Sequence, residues 1–131
     1  TVTAKVRDVP QGPKVFYELS DSLFTAAPNT FIGGMLTALK ARNIAQGAVS
    51  PFPQLTAEAV IAAAPEVILL ADADFGGAPA KVKARPGWAG IPAVRDDRLH
   101  PINADLVNRP GPRVVEGLEQ IAKLLYPERF R

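Results

Sequence analysis

The feature that most constrains the fold is the segment 67–71 (VILLA), an uninterrupted apolar run that follows Pro65 and Glu66. A strand whose side chains are all apolar must be covered on both faces, which is typical of a parallel sheet with helices on either side. Pro65 cannot continue a helix, so the helical pattern before it ends there. The run therefore predicts a central strand of an α/β domain.

Strand and helix patterns alternate along the rest of the chain. Strands are predicted at 14–19, where Val15, Tyr17 and Leu19 alternate inward, near Ile44, at 67–71 and at 98–102. Helices are predicted after the N-cap Thr30, from Thr56 to Ala64, near 80–84 and after Pro112. Such alternation favours βαβ units, so the expected fold is a three-layer α/β/α lobe with a mainly parallel, Rossmann-like sheet.

Two adjacent glycines, Gly33 and Gly34, lie inside the helix that Thr30 begins. Each costs about 1 kcal/mol relative to alanine in a helix interior. We therefore expect another backbone or a ligand to approach this helix closely at both positions.

Composition excludes several classes of function. The chain is 47% hydrophobic and 21% charged with a net charge of +2, values ordinary for a soluble globular protein. Its densest basic group, Lys81, Lys83 and Arg85, has no interleaved aromatic residues and predicts a solvated helix face, not a nucleic-acid surface. No apolar run approaches the roughly 18–20 residues that span a bilayer. We therefore expect neither nucleic-acid binding nor membrane insertion of this chain.

Catalytic patterns are missing as well. The sequence has no cysteine, no GxGxxG, no GxxxxGK and no GxSxG motif. Its one histidine, His100, falls inside the predicted last strand without evident partners. The carboxylates show no diagnostic spacing; those considered are Glu18, Asp21, Asp72, Asp74 and Asp105. The sequence thus predicts a protein that is not an enzyme and that holds no metal or cofactor of its own.

Four residues fall in long loops where a ligand could bind: Phe24, Phe52, Asp105 and Arg109. Loops that leave the carboxyl ends of parallel strands form the ligand crevice of such folds. Each residue also has a structural alternative. The two phenylalanines could cover the edge of the core, and Asp105 and Arg109 could form an exposed ion pair of little energetic consequence.

In this order, the segments resemble the C-terminal lobe of the periplasmic binding proteins that deliver cobalamin, haem or iron–siderophore complexes to ABC importers. The resemblance is carried by KVFYELSDSLFTAAPNTFIGGML, PFPQLTAEAVIAAAPEVILL and RPGWAGIPAVRDDRLHPINADLVNRPGPRVVEGLEQIAKLLYP, from about Lys14 to Pro127. The PQLTAE, APEVILL, PAVRDDRL and RPGPR pieces are its most specific parts.

The resemblance implies two α/β lobes joined by one long helix, with the ligand clamped between them. Residues 1–13 would then be the end of the interlobe helix and a linker, and residues 14–131 the C-terminal lobe, with the N-terminal lobe absent. The protein would be periplasmic or extracytoplasmic, with its export signal or lipid anchor outside this chain. Its partners would be a corrinoid or metal-chelate ligand and the permease dimer of the importer.

Site roles also follow from the resemblance. Cobalamin binders of the family line this side of the cleft with two aromatic residues and with an Asp and an Arg four residues apart, which correspond here to Phe24, Phe52, Asp105 and Arg109. Glu58, in PQLTAEAV, corresponds to the acid that pairs with permease arginines, although it could merely complement the dipole of its helix.

Ligand identity is the part of the resemblance that this sequence supports least. The chain has Lys40-Ala41-Arg42-Asn43 where the family often has Gly-Gly-x-Asn, and phenylalanine at 52 where cobalamin binders often have tryptophan. Cobalamin or a related corrinoid is the expected ligand, with an iron–siderophore or haem as the alternative. A lobe of a cofactor-dependent enzyme is the alternative from another class.

Overall fold

The structure of the protein is a computed structural model that describes residues 12–20, 22–45, 47–48, 50–72, 78–102 and 114–127. Its sheet consists of four parallel strands in the order β2-β1-β3-β4, which places β1 and β3 at the centre. The strands are β1 (Lys14–Glu18), β2 (Arg42–Asn43), β3 (Val67–Leu70) and β4 (Leu99–Pro101).

Helices cover both faces of this sheet. Two of them, α1 and α5, pack on the face that carries Val15 and Leu69, and α2, α3 and α4 pack on the face that carries Phe16 and Ile68. Their bounds are α1 (Phe31–Ala38), α2 (Ala57–Ala63), α3 (Pro79–Lys83), α4 (Pro92–Arg95) and α5 (Val114–Leu125). The predicted three-layer α/β fold with a parallel sheet is therefore confirmed.

Strand β1 is buried on both faces, not on one. Besides Val15 and Tyr17, which the alternation predicted, Phe16 and Glu18 are also fully buried. A central strand between two helical layers has no solvent face. The alternating pattern therefore did not predict the burial of Glu18.

Helix α1 begins as predicted. The Thr30 hydroxyl accepts a hydrogen bond from the Gly33 amide at 2.9 Å, and the predicted apolar stripe, Ile32, Met35, Leu36 and Leu39, is buried. A Cβ at Gly33 would overlap the carbonyl of Ala27 and lie 2.7 Å from Pro28 Cα. The expected close approach is thus confirmed at Gly33, and the approaching backbone is that of the loop 20–30.

At Gly34 the expectation of an approaching backbone is wrong. A Cβ there would meet no atom of the described chain within 4 Å, and the residue is exposed.

Two short elements between α3 and β4 were not predicted. A 3-10 turn at Trp88–Gly90 and the single-turn helix α4 bring Trp88, Ile91 and Ala93 into the core. One helical turn is too short to show a period of 3.6 residues. A turn at Asp96-Asp97 then leads into β4, and Asp97 has a left-handed backbone with φ 58°.

Two further expectations concern the N-terminal segment and membrane-spanning helices. Residues 1–11 lie outside the described residues, so the assignment of 1–13 to an interlobe helix and linker stays a prediction. Within the described ranges, no helix combines the length and apolar character needed to cross a membrane.

Candidate ligand-binding surface

The loops that leave β1 and β2 pair with each other at the carboxyl edge of the sheet. The amides of Thr25, Ala27 and Leu55 donate to the carbonyls of Pro53, Pro51 and Leu23 at 3.0, 2.9 and 3.0 Å. Phe24 and Gln54 form the antiparallel bridge between these bonds. The two loops are thus held together as a short ladder with one register.

This register places the two predicted aromatic residues on one face of the ladder. Phe24 is paired with Gln54, and Phe52 lies two residues before Gln54, so the three side chains share a face. Phe24 is 40% and Phe52 50% exposed. The structure therefore places Phe24 and Phe52 on two paired loops, and about half of each side chain is exposed.

Other contacts hold these loops in place. The Gln54 side-chain amide donates to the Ser22 carbonyl at 3.0 Å, and the buried Asn43 amide donates to the Ala26 carbonyl at 2.7 Å. Leu23 adopts φ 71°, a conformation unusual for a branched side chain, while it is buried. Such local strain persists only where the surroundings determine the backbone, as the ladder does here.

A pocket of about 230 Å³ opens beside Phe52. Its lining residues are Leu19, Thr30, Phe31, Ile32 and Phe52. Sequence reasoning missed Phe31, which is 39% exposed. Its signal was present in the sequence, because Phe31 is an aromatic residue directly after an N-cap and lies outside the apolar stripe of α1. We call Phe24, Phe31 and Phe52 the aromatic surface.

Glu58 lies in the first turn of α2 and is exposed. The predicted N-cap before it is confirmed, since the Thr56 hydroxyl accepts from the Ala59 amide at 3.0 Å. An acid in this position is favoured by the helix dipole. Docking to a permease is not tested by this geometry and stays a prediction.

Asp105 and Arg109, the remaining predicted site residues, lie outside the described residues. The suggestion that they complete the ligand site therefore also stays a prediction.

A buried polar cluster of Glu18, Asp72 and Arg85 lies at the same edge. The Arg85 guanidinium donates to both oxygens of Glu18, at 2.6 and 2.9 Å, and lies 4.6 Å from the centre of the Trp88 ring. The expectation that Lys81, Lys83 and Arg85 form one solvated face is wrong for Arg85. That residue turns inward because the fully buried Glu18 carboxylate needs a cationic partner.

Asp72 carries the most perturbed carboxyl of this cluster. It is 3% exposed, and neither of its oxygens has a well-aligned hydrogen bond to a protein donor. Burial, together with the hydrogen bond to Glu18 and its charge, raises the pKa of Asp72 to about 8, although the backbone amide of Asp72 and the Arg85 charge oppose this.

His100 is a further titratable group with a perturbed pKa in the described part of the chain. Burial and the Arg98 charge lower the pKa of its imidazole, although the Asp97 charge opposes this. In the same ranges no three His, Asp or Glu side chains are grouped in a way that could hold a metal ion.

Known proteins are similar to this chain in sequence. The chain is 35% identical over 131 residues to the uncharacterized ABC transporter substrate-binding lipoprotein YvrC of Bacillus subtilis, covering 98% of this chain and 40% of that protein. It is 32% identical over 119 residues to a cobalamin-binding protein of Halobacterium salinarum, covering 87% of this chain and 32% of that protein. The chain thus spans well under half the length of these relatives.

A solved structure of a possible iron-binding, periplasmic solute-binding protein from Staphylococcus epidermidis superposes with a TM-score of 0.84 at 28% identity. The match covers 95% of this chain and 49% of that one.

The fold is an α/β lobe that also occurs in a periplasmic solute-binding protein. The profile of the periplasmic binding proteins matches residues 2–106. The chain belongs to this family.

Proposed function

We propose that this chain is the C-terminal lobe of the substrate-binding component of an ABC importer, and that it forms one wall of a site for cobalamin or a related corrinoid. The observation that carries the proposal is the aromatic surface at the carboxyl edge of the sheet. Phe24, Phe31 and Phe52 are the three large hydrophobic side chains that the described structure leaves exposed. Aromatic walls suit a large, flat ligand because they bury much area with few rotatable bonds.

The size of the pocket supports a shared site. Pockets that enclose even a drug-sized ligand measure about 300–1,000 Å³, whereas the pocket beside Phe52 measures about 230 Å³. A corrinoid would rest against this lobe and would need a second lobe to enclose it. Such closure would take place in the periplasmic or extracytoplasmic space, where the ligand is captured for the permease.

The metal-coordinating side chains available in this chain favour a ligand whose metal this lobe does not coordinate. Haem iron is held by His, Tyr, Met or Cys side chains. The sequence has no cysteine, Tyr17, Tyr126 and Met35 are buried in the core, and His100 lies in strand β4. An iron–siderophore or haem ligand is the alternative within the class. The cofactor-dependent enzyme of the sequence analysis has no support in this donor set, so we propose no catalytic role.

The aromatic surface is tested by binding of cyanocobalamin to the two-lobed protein that contains this chain. Phe52→Ala should weaken binding about tenfold, roughly 1.4 kcal/mol, because a half-exposed ring is removed from the contact. Isothermal titration calorimetry measures the affinity, and Glu119→Ala on the exposed side of α5 is the control. An unchanged affinity in Phe52→Ala would contradict the assignment.

The second part of the proposed site is tested with the double variant Asp105→Ala/Arg109→Ala. It should also weaken cyanocobalamin binding if these residues meet the polar groups of the ligand. Normal affinity would contradict the assignment of these two residues to the site, and it would not affect the assignment of the aromatic surface. Titration with haemin and with ferric siderophores in a thermal-shift assay distinguishes the alternative ligands, since the preferred ligand raises Tm most.

A further inference from the structure

The buried cluster of Glu18, Asp72 and Arg85 contains two carboxyl groups and only one guanidinium. The cluster is neutral only if one of the carboxyl groups is protonated. Arg85 neutralises Glu18 through two short hydrogen bonds. Asp72 is almost completely buried, and neither of its oxygens has a well-aligned hydrogen bond to a protein donor. It lies two residues after Leu70, which is in register with Glu18, so the two carboxyl groups are neighbours at the end of the paired strands. An ionised Asp72 would place a second negative charge against Glu18 in a poorly solvated site, which is costly. A neutral Asp72 can donate to a Glu18 oxygen instead, because a carboxylate oxygen accepts more than one hydrogen bond.

The charged groups around Asp72 support this reading. Among the described residues, β1 contributes Glu18, and the turn after α3 contributes Arg85. Lys81 and Lys83 of α3 are exposed, and Lys83 pairs with Asp97 at 2.6 Å. The charged side chains of α2 and α4 are exposed and are Glu58 and Arg95. His100 of β4 is in register with Leu69, whose side chain packs on the opposite face of the sheet.

The cluster is joined to the aromatic surface through the backbone. The Ala71 amide donates to the Glu18 carbonyl at 3.0 Å, which ties the end of β3 to the end of β1. Leu19, which follows Glu18 in the chain, lines the pocket beside Phe52, and its amide donates to the Phe24 carbonyl at 2.9 Å. A change in the hydrogen bond between Asp72 and Glu18 therefore has to pass only the peptide unit between Glu18 and Leu19 to affect the loop of Phe24.

We propose that Asp72 is a positioning residue that, as a neutral carboxylic acid, donates a hydrogen bond to Glu18 and holds the carboxyl ends of β1 and β3 together beneath the aromatic surface. The role of that surface rests on the function proposed above. Asp72 itself touches no ligand in this scheme and acts through Leu19 and the loop of Phe24.

The hydrogen bond is tested in the 131-residue chain by ¹H–¹⁵N NMR between pH 5.5 and 9.5. The indole of Trp88, the only tryptophan, and the amides of Ala71 and Leu19 should shift together with a midpoint near pH 8, where Asp72 loses its proton. Asp72→Asn should abolish these shifts, because an amide donates at every pH. Asp97→Asn is the matched control and should titrate like the wild type, since Lys83 lowers the pKa of that exposed carboxyl.

Three results overturn the proposal. Signals that stay flat in the wild type mean that Asp72 does not titrate in this range, and a transition that persists in Asp72→Asn assigns it to another group. Shifts of Trp88 and Ala71 without Leu19 mean that the hydrogen bond does not reach the aromatic surface.

Ligand binding gives a separate arm in the two-lobed protein. Cyanocobalamin affinity should fall about fivefold from pH 6.5 to 9.5 in the wild type, the low end of usual couplings between sites, and should stay constant in Asp72→Asn. A wild-type affinity independent of pH contradicts positioning. If the protein binds no cyanocobalamin at any pH, the proposed ligand is wrong, and the Leu19 titration alone decides the role of Asp72.

Discussion

Two adjacent glycines allow the packing of α1 to be tested one residue at a time. Gly33→Ala should destabilise the chain by about 1–3 kcal/mol, because the new Cβ would overlap the Ala27 carbonyl and the backbone would have to move. Gly34→Ala is its matched control. It faces open space and should stabilise α1 by about 0.5–1 kcal/mol through helix propensity. Urea unfolding measures both, and equal effects would contradict the packing of the loop 20–30 on α1.

Single residues also show where sequence reasoning reaches its limit. The cost of glycine in a helix predicted a close approach at both positions, but the partner backbone covers only one side of the helix. Likewise, Glu18, Asp72 and Arg85 each looked unremarkable in the sequence. Glu18 and Arg85 are separated by 67 residues, and Glu18 meets Asp72 because the parallel register sets Glu18 beside Leu70, two residues before Asp72. Local spacing carries no information about such a register.

At the scale of elements, the caps of the helices offer a paired prediction. Thr56→Ala removes the hydroxyl that accepts from the Ala59 amide and should cost about 1 kcal/mol. Thr37→Ala removes a hydroxyl that donates back to the Gly33 carbonyl within α1. Since alanine is the better helix former, that change should be neutral or stabilise by about 0.5 kcal/mol. Thermal unfolding compares them, and a neutral Thr56→Ala would show that other contacts fix the start of α2.

The longer elements could be predicted because their patterns agree with their environment. The apolar run before Ala71 became the central strand β3, and Thr30 and Thr56 became N-caps. Helix α4 and the 3-10 turn escaped prediction because one turn has no visible periodicity. Their burial depends on Trp88, whose ring packs edge-on against Phe16 with centroids 6.3 Å apart. The ladder between the loops of Phe24 and Phe52 was equally hidden, since it joins irregular segments through backbone bonds.

At the scale of the whole molecule, both candidate surfaces arise from one property of the fold. Parallel strands end at the same edge of the sheet, so the loops after β1 and β2 and the start of α2 lie at the same end of the lobe. The aromatic surface and Glu58 are thereby presented on that end. This arrangement suits a lobe that would close on a ligand and meet a membrane partner from one direction, and it lets the two roles be separated by experiment.

Reversal of charge at Glu58 provides that separation. In the two-lobed protein, Glu58→Arg should reduce ligand uptake by the complete importer and leave cyanocobalamin affinity unchanged, because Glu58 is exposed and lies outside the pocket beside Phe52. Glu58→Gln should have a smaller effect of the same kind. Glu119→Arg, an exposed acid in α5, controls for the change in net charge.

The alternative role of Glu58, stabilisation of its own helix, predicts a different set of results. A cation in the first turn of α2 opposes the helix dipole, so Glu58→Arg would lower Tm while uptake stays normal. Thr56→Ala weakens the same helix without touching the acid, and it should reproduce that loss of Tm with little loss of uptake. Normal uptake in Glu58→Arg would therefore contradict docking, and impaired uptake at unchanged ligand affinity would assign Glu58 to the permease contact.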